Sequence, residues 1–284
     1  MIPLRTVPGT VLFRGQRTVS ETVYLIAPTE QDRRRERIND STRVKAPVAA
    51  WQDFPWVVAP GLPHHVTQRG NRRQQTFFTD EDYAEYRRLL AESCRSCGTH
   101  VLAYCLMPNH VHLILVPGDE FGLRDALGEA HRRYTRMVNF REGWKGHLWQ
   151  ERFHSFVMDE CHLLAAARYV ELNPVRARLC TRAQDWPWSS AAAHFAGRDD
   201  ALVSAGPLLE LAPDWKSFIG EGEDESFNER LRGHASTGRP LGSDAFVETL
   251  ERRLARSLKR KKPGPKPHER DRYTGDMFGE GERN

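Results

Sequence analysis

The chain has 284 residues, 39% hydrophobic and 28% charged, with a formal net charge of +4. This fits one domain of ordinary size with polar extensions, or two small domains, and leaves no apolar run near the ~18 residues that a spanning helix needs. The first residues lack the apolar stretch and cleavage site of a secretory signal, and an odd five cysteines argue for a reducing cytoplasm over a disulfide framework.

In chain order, residues 1–50 show no sustained periodicity and hold the charge-dense "EQDRRRERIND". They read as an arm without a fold of its own, or as an extension from an upstream start. After a Pro-Gly-Leu-Pro turn, "HHVTQRG" has strand character. "TDEDYAEYRRLLAESCRSCG" starts as a helix, with Thr79 as its cap, Asp82 at the third following position and Gly98 near its end. "THVLAYCLMP" and "NHVHLILVP" form two strands joined at Met107-Pro108-Asn109. In "GLRDALGEAHRRYTRMVN", Leu123, Leu127, Ala130, Tyr134 and Val138 recur at helical spacing.

"HLWQERFHSFVM" reads as a further strand, and "DECHLLAAARYVEL" as a helix ending near Asn173-Pro174, because the residue before proline avoids the α region. The order β-α-β-β-α-β-α implies an α+β fold. Its first six elements match the ferredoxin-like split βαβ pattern, an antiparallel sheet with helices on one face. "DWPWSS" should pack back on this domain, "DAFVETLERRLARSL" gives a later helix, and "KRKKPGPKP" is a basic, proline-broken tail. The divisions expected are an arm over 1–50, a catalytic domain over 51–195, a helical extension over 196–258 and a basic tail over 259–284.

In "NHVHLILV", alternation puts His110, His112 and Ile114 on one side of the strand, and Val111, Leu113 and Leu115 on the other. The apolar trio should face the core helices, leaving the histidines on the opposite, accessible face. Residues two apart on a strand lie about 6.6 Å apart, so two neutral imidazoles can converge on a divalent ion. Alone, however, such a pair favours two incidental histidines at a strand edge over a metal site. A third ligand would come from "AARYVELNPVRA", where Tyr169 and Asn173 stand four residues apart and share a helix face. Asn173 offers an amide oxygen to a hard ion such as Mg²⁺ or Mn²⁺, and Tyr169 offers a phenol. Cys94 and Cys97 form a lone CxxC with no second pair at zinc spacing, which favours incidental cysteines.

Together, "HHVTQRGNRRQ", "YCLMPNHVHLILVP", "HRRYTRMVNFREGWKGHLWQERFHSFVMD" and "AARYVELNPVRA" resemble the REP-associated tyrosine transposases. These belong to the single-tyrosine HUH transposases of insertion-sequence type, where U is a hydrophobic residue. The resemblance runs from about Trp56 to about Ala193. It implies that His110 and His112 bind a metal, that Asn173 completes the site, and that Tyr169 attacks single-stranded DNA to form a 5′-phosphotyrosine link. It also implies the partners: single-stranded or hairpin DNA, with neither a membrane nor a small-molecule substrate. A homodimer stays open, because one tyrosine per chain cleaves once.

Phosphate contacts are expected from Arg69, Arg72 and Arg73, from Arg132, Arg133 and Arg136, and from Lys259, Arg260, Lys261, Lys262 and Lys266 in the tail. Trp144, Trp149 and Phe153 would either stack on bases or fill the core. Tyr134, spaced with the apolar stripe of its helix, reads as core. Two rival readings remain. One is a hairpin-binding regulator that keeps the fold without turnover. The other, a histidine-nucleophile hydrolase, needs a third histidine where the chain has Ile114.

Overall fold

The computed structural model describes residues 57–222 and 224–258. The arm over 1–50 and the tail, with Lys259, Arg260, Lys261, Lys262 and Lys266, lie outside the described residues.

Strands β1 (His64–Arg69), β2 (His100–Met107), β3 (His110–Val116) and β4 (His154–Val157) form one antiparallel sheet in the order β2-β3-β1-β4. Between them run α1 (Asp80–Ser96) and α2 (Gly122–Glu142). This is the split βαβ arrangement, with the histidine-bearing β3 as an inner strand. A two-residue turn, Pro108-Asn109, joins β2 to β3, and a register shift between Val101 and Ala103 marks a bulge in β2.

Local chemistry accounts for the helix ends. Thr79 and Asp82 close a capping box at the start of α1, and Gly98 takes a left-handed φ of 61° just past its end. Gly143, at φ 66°, ends α2 in the same way. Both helices lie on one sheet face, where Val66, Val111, Leu113 and Leu115 meet the buried stripe Leu123, Leu127, Ala130, Tyr134 and Val138. Tyr134 is core, its hydroxyl donating to the Thr76 carbonyl at 2.7 Å. Trp149 packs in the same layer against Phe77 and His131, while Trp144 stays 43% exposed.

The run 147–158 is strand only over His154–Val157. Glu151 sits at φ 42°, a left-handed conformation that breaks extended pairing. Leu148 and Trp149 turn into the core, and Gln68 Nε2 holds the segment by donating to the Gln150 carbonyl at 2.9 Å.

The other sheet face carries α3 (Glu160–Glu171), capped by Asp159 accepting from the His162 amide. Pro174 does not end the helical path. The chain turns through Leu172 (φ −82°, ψ −3°) straight into α4 (Asn173–Arg176), where a proline near the start loses no needed donor. "DWPWSS" does pack back: Trp186 Nε1 donates to the Leu106 carbonyl, and Trp188 stacks on Tyr83. Short helices α5 (Ala191–Phe195), α6 (Gly206–Leu211) and α7 (Trp215–Gly220) follow, then α8 (Glu225–Thr237) and α9 (Asp244–Leu254). Leu208, Trp215, Phe227 and Leu231 join Ile114, Phe156 and Tyr169 in a second core, so the histidine face is covered rather than open. Among the described residues, no helix is long and apolar enough to cross a membrane.

Candidate active site

Cross-strand register places Met107, His110 and Arg69 in one row of the second face, Cys105, His112, Thr67 and His154 in the next, and Ala103, Ile114, His65 and Phe156 in the third. The rings of His110 and His112 lie 5.0 Å apart, edge to face. His110 Nδ1 donates to Asn109 Oδ1 at 2.6 Å, which leaves the Nε2 lone pair available. Burial, joined by the Arg69 charge, lowers the His110 pKa to about 4, and burial drives that of His112 well below the ordinary value. Both imidazoles are therefore neutral near pH 7, as metal ligation requires.

His65 is the member that sequence reasoning missed. Its Nε2 lies 3.1 Å from His112 Nδ1, with the two rings stacked 5.3 Å apart. Burial lowers its pKa to about 3. If His112 Nδ1–H donates to His65, the His112 Nε2 lone pair is left free for a metal, the usual outer-shell arrangement of a ligating histidine. The doublet His64-His65 carried the signal: on a strand, one of the two must share a face with the HxH pair.

Tyr169, near the end of α3, stands edge-on to His112 at 5.6 Å and to His65 at 6.2 Å. Asn173 lies one turn further on, 9% exposed, and its Nδ2 is buried without a partner. The amide oxygen of Asn173, not this nitrogen, is the atom that could join two neutral imidazoles in holding a divalent ion. Among the described residues, no group of three or more His, Cys, Asp or Glu could hold a metal. The Arg176 guanidinium lies over the Tyr169 ring, Cζ 4.1 Å from its centroid, and Nη2 donates to the Tyr169 carbonyl at 2.9 Å.

Of the other residues expected to act, Arg69, Arg72 and Arg73 are exposed at the end of β1 and in the turn after it, with Arg69 opposite His110. Arg72 and Arg73 hold left-handed φ values of 53° and 62°. Arg132, Arg133 and Arg136 belong to α2 on the opposite side of the sheet, where Arg132 pairs with Glu129 and Arg133 with Glu92.

Residues 60–173 match the family model described as "Transposase IS200 like". The match covers less than half of the chain, and over that segment the chain is similar to this family. The segment runs from just before β1 to Asn173, so it contains the histidine pair and Tyr169, while Arg176 and the covering helices lie beyond it. A REP-associated tyrosine transposase solved bound to a REP hairpin is 22% identical, covering 54% of this chain and 91% of that one, with a TM-score of 0.42. A Deinococcus radiodurans R1 protein described as a transposase is also 22% identical, covering 39% and 88%, with a TM-score of 0.31. A comparison with curated proteins found no match.

Proposed function

We propose that this chain cleaves and rejoins single-stranded, hairpin-bearing DNA, with Tyr169 as nucleophile and His110, His112 and Asn173 as the holders of Mg²⁺ or Mn²⁺. The observation that carries this reading is the edge-on placement of Tyr169 at 5.6 Å from a neutral, buried His112, within a segment similar to the IS200-like transposases.

In the reaction, the Tyr169 phenol oxygen bonds to phosphorus as the bond from phosphorus to the 3′ oxygen breaks. The phenol proton is released, the departing oxygen becomes a 3′-OH, and the 5′ side stays on the enzyme as a phosphotyrosine. Rejoining reverses these exchanges with another 3′-OH, so no nucleotide triphosphate is needed. The bound ion would withdraw charge from the non-bridging oxygens. His65 keeps the His112 ring oriented, and the apolar second core keeps water from the phosphotyrosine. Arg69, Arg72 and Arg73 are our first choices for backbone phosphate contacts, with Arg132, Arg133, Arg136 and the tail cations as more distant ones.

The test is incubation of the full chain with end-labelled hairpin DNA and Mg²⁺ or Mn²⁺, then denaturing electrophoresis in SDS. A covalent adduct is expected from the wild type and none from Tyr169→Phe. An adduct that persists in the variant moves the nucleophile elsewhere, and hairpin binding without any adduct favours the regulator.

A further inference from the structure

The near-unbroken path from α3 into α4 aligns more than Tyr169 and Asn173. The Leu172 amide donates to the Arg168 carbonyl at 2.9 Å, and the Arg176 amide to the Leu172 carbonyl at 2.9 Å. The ladder thus continues past Pro174, and positions 169, 173 and 176 fall at i, i+4 and i+7 on one side of the helical path. That stripe carries a phenol, an amide and a guanidinium.

Arg176 is fixed at two points, stacked over the Tyr169 ring and bonded to the Tyr169 carbonyl. Nη2 supplies the N–H that serves that carbonyl. It is only half-buried, and its positive charge is felt at His112, which lies against the same tyrosine ring. A planar fork of donors matches two phosphate oxygens better than any other side chain does. Attack on a phosphodiester also builds negative charge on those oxygens and draws it from the phenol, so a preorganised cation beside the phenol acts where charge develops.

We propose that Arg176 is a catalytic residue, donating guanidinium N–H groups to the non-bridging oxygens of the scissile phosphate while its stacking holds the Tyr169 ring. The assignment rests on Tyr169 being the nucleophile. The competing role is purely structural: an arginine near a helix end that satisfies a terminal carbonyl.

Two measurements on full-length Arg176→Ala and Arg176→Lys separate the roles. The first is single-turnover cleavage of labelled hairpin DNA at saturating protein. Arg176→Ala is expected to lose about 100-fold and Arg176→Lys to recover part of that loss. The second is the salt dependence of binding to oligo-dT without metal, where losing one phosphate contact lowers the log-log slope by about 0.7. A terminal-carbonyl role would lower the unfolding temperature and leave both readouts in place. Cleavage within threefold of wild type, or an unchanged slope in both variants, overturns the proposal. If the wild type forms no adduct, the nucleophile assignment fails on its own and the slope still decides whether Arg176 meets phosphate.

Discussion

Glu171 lies two residues from both Tyr169 and Asn173 and is fully buried. Its carboxyl group accepts from Ser190 Oγ at 2.6 Å, His194 Nδ1 at 2.5 Å and Trp215 Nε1 at 2.9 Å. All three donors are at most 2% exposed, so Glu171→Ala strands them away from water. Each buried donor left unsatisfied costs about 1–3 kcal/mol, which spans roughly 3–9 kcal/mol for three. One escape lowers the value: Ser190 Oγ can turn to the Tyr104 carbonyl at 3.3 Å, which leaves two donors stranded, roughly 2–6 kcal/mol. A loss of about 4 kcal/mol follows. With a urea m-value of about 2.5 kcal/mol/M, the unfolding midpoint should fall by about 1.6 M. Glu171→Gln keeps the volume and one acceptor oxygen. It faces an amide N–H against only one donor and should cost about 1–2 kcal/mol. Urea titration followed by far-ultraviolet circular dichroism measures both. An Ala variant within 1 kcal/mol of wild type, or a Gln variant worse than Ala, would refute this account of the buried hub.

Two further outcomes follow from named contacts. His65→Phe keeps the stacked volume but removes the partner of His112 Nδ1, so Mn²⁺ affinity measured by electron paramagnetic resonance should drop about 10- to 100-fold; unchanged affinity would show that His65 does not orient a ligand. Asp82, 1% exposed at the side chain, ties the start of α1 to Arg141 of α2. Burial pushes its carboxyl up, but the Arg141 pair and the Phe78 and Thr79 amides outweigh that and hold it below the ordinary value. A lowered folded-state value means this stabilisation is complete above the unfolded carboxyl value of about 3.9 and is lost as pH falls through the folded one. Asp82→Asn should therefore cost about 1–2 kcal/mol at pH 7 and narrow its gap to wild type below about pH 4, read by thermal unfolding across pH 3–7; a constant gap would contradict it.

What the sequence made legible was whatever depends on period and local chemistry. The alternation of Val111, Leu113 and Leu115 against His110 and His112 sets the two faces of β3, and the Leu123-to-Val138 stripe sets the buried side of α2. Thr79 and Asp82 announce their own capping box. What stayed hidden depends on distant partners or on single dihedrals. Choosing His65 over His64 required the pairing of His65 with Ile114, a register that local patterning does not specify. The loss of strand before His154 turns on one left-handed residue, Glu151, that no β-breaking residue type signals. Arg176 was missed because Pro174 reads as a stop, although a proline near the start of a new helical turn is tolerated. The Glu171 hub joins residues up to 44 positions apart, beyond any motif window.

Burial of the histidine face has two effects that pull in opposite directions. His112 and Tyr169 are each 7% exposed, and that desolvation keeps the imidazoles neutral and fit to ligate. The same desolvation opposes the approach of a phosphodiester, an anion that loses hydration as it enters. Positive charge nearby relieves both constraints at once. Arg69 opposite His110 and Arg176 over Tyr169 each push the His112 pKa down further. Each also offsets the cost of bringing in a negative charge, and more strongly than in water because the surroundings are less polar. A site built from neutral imidazoles alone would be dry and uncharged, with little to draw a DNA backbone into it. In the proposed reaction, the cations flanking the pair would let one set of buried histidines serve both a metal and a phosphate.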